Sequence, residues 1–311
     1  KSAYECTDKP TVILAFTVKG YGIGSRQADN TTHQVKKLTE DNLKDFIKNF
    51  NLPVNAGNLN KLDYLELNKN SKEYKYLINQ RNKLGGFLPR RNVTKHSLKP
   101  NNNTHFDEFS SESKREMSTT MVFVRLITSL LRDKKIGKNI VPIVPDEART
   151  FGMDGLFRQF GIYSREGQKY QPEDADKVMW YRESKDGVML EEGINEAGAF
   201  SAWIALATSY ANNSLPMIPF YIYYSMFGFQ RVHDLAWAAG DARARGFLLG
   251  ATSGRTTLNG EGLQHQDGHS HLLAQTIPNC KSYDPCFDYE LAAIIKNGIE
   301  DMYVKNNDNY Y

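Results

Sequence analysis

The sequence predicts an α/β fold, a parallel sheet with helices on both faces, and three observations carry that expectation. Residues 140–145, 217–224 and 247–251 are continuous apolar runs, the pattern of strands covered on both sides rather than strands with one wet face. Helical patterns alternate with them, at 118–131, 196–210 and 231–245, and such alternation implies right-handed crossovers within one parallel sheet. Polar or glycine-rich stretches follow the strands, where the ligand sites of such sheets lie.

Taken in order, residues 11–18 form an apolar, β-branched run that reads as a buried strand, broken by Gly20, Gly22 and Gly24. Those glycines lack both the spacing and the following apolar helix of a dinucleotide fingerprint. From residue 29 to 110 the chain is rich in Asn and Lys, with amphipathic helical stretches at 40–50 and 72–84. A linker, Lys99 to Asn103, marks a boundary between about residues 95 and 110. The helix at 118–131 begins on Ser118, a side chain suited to cap it.

Composition excludes more than it selects. With 39 basic and 36 acidic residues the formal charge is +3, which argues for neither nucleic acid nor a membrane surface as partner. No apolar run reaches the roughly 20 residues of a membrane-spanning helix. Cys6, Cys280 and Cys286 cannot all pair and have no zinc or redox spacing, which fits reduced thiols and a cytoplasmic setting. Both ends of the chain read as truncations.

Five places hold residues that could carry chemistry. Asp146, Glu147 and Arg149 follow the 140–145 strand, as ligand groups or as a helix start with internal pairing. Glu196 begins a helix among small neighbours that let something large approach. Desolvation there favours a protonated carboxyl, although most such glutamates only cap. Tyr224 and Phe227 close an aromatic strand end, either core or a flat wall against a heteroaromatic ring. Residues 252–271 form a long glycine-rich polar stretch holding His265, His269 and His271, better suited to proton transfer or substrate binding than to a metal. His33 lies in a polar, glycine-flanked stretch that suits either a lid or plain surface.

The stretch 250–271 with 276–280, the segment 19–24 with 32–37, and residues 145–158, 192–199 and 216–231 closely resemble the homodimeric bacterial pyruvate dehydrogenase family, the decarboxylating first component of the pyruvate dehydrogenase complex. The resemblance runs nearly end to end and is weakest over 40–110. It implies a transketolase-like, thiamine-diphosphate-binding fold. Residues 1–28 would be the tail of the diphosphate-binding domain, 29–105 the active-site loop and connecting segment, and 106–311 most of the pyrimidine-binding domain. It also implies a homodimer, thiamine diphosphate and magnesium as cofactors, pyruvate as substrate, and the lipoyl group of dihydrolipoyl acetyltransferase as acceptor.

By the same resemblance Glu196 is similar to the glutamate that hydrogen-bonds the cofactor's aminopyrimidine, and Phe227 to the residue stacked on that ring, with Tyr224 beside it. Asp146 and Glu147 look like the acidic pair at the cofactor mouth, His265 like a histidine facing the substrate channel, and His33 like part of the mobile active-site loop. The family's Gly-Asp-Gly element is missing from these 311 residues, so metal ligands are expected outside this segment. Two alternatives stay open: an enzyme for another 2-oxo acid, and an inactive dimerisation and cofactor-clamping fragment.

Overall fold

The computed structural model describes residues 1–54, 59, 64–87, 97–101, 103–110, 116–146, 148–173, 175–177, 181–251 and 262–311. The chain divides into two compact units, Lys1–Leu88 and Pro89–Tyr311.

In the first unit, helix α1 (Glu40–Asn49) starts where the Thr39 side chain accepts the Asn42 N–H, and α2 (Lys72–Lys83) where Ser71 accepts from Tyr74. Helix α1 anchors the glycine-punctuated turn before it. Asn42 donates to the Ile23 carbonyl at 3.2 Å and Asn49 to that of Gly22 at 3.0 Å. Gly22 has φ +88°, and a Cβ there would meet the Phe50 ring at 2.1 Å, so the glycines serve a tight turn against an aromatic. The run 11–18 corrects the sequence reading: it belongs to no strand, with Leu14 92% and Phe16 100% exposed. A strand exists only by pairing, and among the described residues this unit holds no strand to pair with it.

The second unit carries the sheet. Helix α3 (Thr119–Leu131) is capped by Ser118, which accepts the Met121 N–H. It buries seven apolar side chains from Val122 to Leu131, each contributing about 1.5–3 kcal/mol. There follow strand β1 (Ile140–Val144), helix α4 (Asp154–Gln159), and the short strands β2 (Ile162–Tyr163) and β3 (Glu183–Ser184), which pair with each other. Then come β4 (Leu190–Glu191), helix α5 (Glu196–Ala207), β5 (Ile218–Tyr224), helix α6 (Phe229–Asp241), β6 (Phe247–Ala251), and helices α7 (Ser270–Ala274) and α8 (Asp288–Ile299).

The main sheet has the order β4-β1-β5-β6, with every pairing parallel. Alternation along β5 sorts its two faces. Ile218, Phe220 and Ile222 pack with α3, α4 and α8, whereas Tyr221 and Tyr223 pack with α5 and α6. Helices therefore cover both faces, as the sequence predicts. No helix among the described residues is long and apolar enough to cross a membrane, and the three cysteines are free thiols.

Candidate functional site

Because all four strands run the same way, their carboxyl ends meet at one edge of the sheet, and that edge collects the candidate residues. Register puts Val144 of β1 beside Glu191 of β4, and β1 beside β5. Asp146 lies two residues beyond β1, Glu196 opens α5 just after β4, and the turn Ser225–Phe227 continues β5.

Four rings converge there. The His265 ring stands edge-on to Tyr224 at 5.2 Å and to Phe227 at 5.4 Å, and Phe151, from the segment after β1, meets Tyr224 at 5.2 Å. These distances lie in the favourable range for aromatic pairs. Glu196 is joined to the cluster by Arg231. The guanidinium donates to Glu196 Oε1 at 3.0 Å and lies 4.4 Å over the Phe227 ring, with the Glu196 side chain only 13% exposed. Asn195, not Glu196, caps α5 by accepting the Gly198 N–H, and the Glu196 carboxylate pairs instead with Arg231.

Three more side chains belong to this edge. Glu191 has its carboxyl pushed up to about 7, by burial first and then by the charge of Asp146, against the opposing effects of Arg149 and the Ala148 N–H. Its Oε1 is buried and meets no hydrogen-bond partner among the described residues. Asp267 is buried and accepts from Ser225 and Gln230, and Arg231 is the link just described. Each comes from a contact between distant segments, which periodicity does not encode.

Other predicted residues lie elsewhere. Glu147 falls outside the described residues, as do residues 252–261 of the glycine-rich stretch. His33 belongs to the first unit, in the turn Asn30–Gln34, where the Lys19 ammonium sits 2.8 Å from its Nδ1. Among the described residues no three His, Cys, Asp or Glu side chains gather as a metal site. A cavity of about 500 Å³ opens beside β6, lined by Phe123, Leu249, His271, Lys281 and Tyr283. Ser225, Asp267 and the end of β6 line it, whereas Tyr224, Phe227, His265, Glu191 and Glu196 do not.

Fold and edge together define a parallel α/β ligand-binding domain whose strand ends present an aromatic wall beside carboxylates. The family model described as the pyruvate dehydrogenase E1 component middle domain matches residues 100–311, and the chain belongs to that family, with its transketolase-like α/β fold. It is 58% identical over 304 residues to a "Pyruvate dehydrogenase E1 component" of Pseudomonas aeruginosa, covering 97% of this chain and 34% of that protein. It is 54% identical over 314 residues to the protein of the same name from Escherichia coli K12, covering 100% and 35%. The chain thus spans about a third of the length of these curated relatives.

Proposed function

We propose that these residues form the pyrimidine-binding and substrate-facing part of a thiamine-diphosphate-dependent pyruvate dehydrogenase. The whole protein decarboxylates pyruvate and reductively acetylates the lipoyl group of dihydrolipoyl acetyltransferase, as a homodimer that uses magnesium. The observation that carries the reading is the Glu196 carboxylate, mostly withdrawn from water and linked through the Arg231 guanidinium to the Phe227 ring at the sheet's carboxyl edge. Its support in relatives is the shared name at more than half identity.

The residues present fit an aminopyrimidine. A flat heteroaromatic ring finds a wall in Phe227 with Tyr224 behind it, and its ring nitrogen finds a proton partner in Glu196. Glu191 adds a buried oxygen that no described protein group reaches. When bound, the cofactor supplies an electron sink for the decarboxylation. The chain's own residues do the rest. Arg231 would hold the Glu196 carboxylate in place to share a proton with the ring nitrogen, His265 would face the substrate, and Asp146 would border the mouth, with Glu147 assigned there by resemblance alone. His33, in the first unit, belongs by resemblance to the mobile active-site loop. The diphosphate and magnesium anchor is contributed by other parts of the protein, in keeping with the missing Gly-Asp-Gly element. For that reason the 311 residues alone act as a clamp rather than a catalyst.

Glu196→Gln in the full-length enzyme tests the assignment. Pyruvate decarboxylation at neutral pH falls by about a hundredfold or more, with the thermal unfolding midpoint unchanged. Near-normal turnover excludes the role. Turnover of pyruvate above that of longer 2-oxo acids, in the unmodified enzyme, checks the substrate.

A further inference from the structure

We propose that Asp267 is a positioning residue: its buried carboxylate ties the turn carrying Phe227 to the turn carrying His265, and so sets the substrate-facing histidine against the aromatic wall. The inference rests on the function proposed above.

Both turns are short 3-10 segments, Ser225–Phe227 and Leu263–His265. Three residues of such a turn make too few main-chain bonds to orient themselves, so their aim must come from outside. Asp267, 6% exposed, supplies it. It accepts the Ser225 hydroxyl, 42 residues away in the chain, together with Gln230 Nε2 at 3.3 Å. On its own segment it accepts the N–H groups of His269 at 3.0 Å and Ser270 at 3.1 Å. Burial alone raises a carboxyl, but the Ser225 and Ser270 hydroxyls and the two N–H groups prevail and hold it at about 2. The acceptor is therefore charged throughout the working range, and bonds to a charged acceptor are the stronger kind.

A second observation fixes the other side of Ser225. A Cβ on Gly250 of β6 would meet Ser225 Oγ at 2.8 Å and its Cα at 3.1 Å. The serine is thus confined between β6 and Asp267. None of Asp267's hydrogen bonds goes to His265 or Phe227, so its influence on the rings passes through the two turns.

The test uses the full-length enzyme at saturating thiamine diphosphate. Asp267→Ala lowers kcat for pyruvate by about tenfold or more, while the calorimetric Kd for thiamine diphosphate moves less than about threefold. In the His265→Ala background the same change costs less than about threefold, because the group it positions is gone. Should Asp267→Ala fail to fold, Asp267→Asn and Ser225→Ala are put through the same comparison and show the same dependence on background. Equal losses in both backgrounds, or a loss that tracks the folded fraction in thermal unfolding, overturn the proposal. A wild-type enzyme inert towards pyruvate overturns the underlying reading as well, whereas equal losses in an active enzyme overturn Asp267's role alone.

Discussion

Glu191 owes its raised pKa first to burial and then to the Asp146 charge, rather than to any feature of its own segment. β4 is only two residues long, and its pairing with β1 buries the side chain within reach of the Asp146 charge. The carboxyl's folded pKa is raised to about 7 from an ordinary 4.5, so the folded state holds a proton that the unfolded chain has released between those values. The associated stability is fully present below about 4.5 and is lost as pH rises through about 7. Glu191→Gln, which keeps the neutral shape, should raise the denaturant midpoint at pH 8 and change it little at pH 4. Urea titrations at the two pH values measure this, and an equal shift at both would show that burial, not protonation, governs the site.

Elements differ in how openly the sequence declares them, for physical reasons. Strands β1 and β5 and helix α3 are legible because burial on both faces, or a Ser118 cap, writes itself into the local sequence, and β6 because its run is apolar. The run 11–18 has the same local signature and forms no strand, because pairing is a property of a neighbour. β4 is too short to show any period, and α8 begins without a serine or aspartate cap, with Glu290 accepting the N–H groups of Cys286 and Phe287. Glu196, Tyr224 and Phe227 stand out by residue type at helix and strand ends, His265 within a long glycine-rich loop, and their roles come from the resemblance. Arg231, Glu191 and Asp267 were missed because only the folded chain brings them there. Packing between β6 and the turn after β5 also makes a prediction. Gly250→Ala forces a methyl group against buried Ser225, costs about 1–3 kcal/mol of stability, and lowers kcat as Ser225→Ala does. Chemical denaturation and steady-state kinetics read the two effects separately.

At the scale of the molecule, the chain corresponds to about a third of the length of its curated relatives. What it holds is self-consistent: a four-stranded parallel sheet, helices on both faces, and one edge gathering rings and carboxylates. The first unit brings a different property. Val12, Ile13, Leu14 and Phe16 are 73–100% exposed in a run that holds no charged residue. Such a stretch is a template for edge-to-edge pairing between molecules. Solutions of the 311-residue chain should therefore self-associate as concentration rises, seen as growing light scattering, and Ile13→Lys should suppress it. A scattering signal that ignores both concentration and this substitution would rule the segment out as the cause. The handling of this chain in solution is thus governed by eight residues that contribute nothing to its sheet.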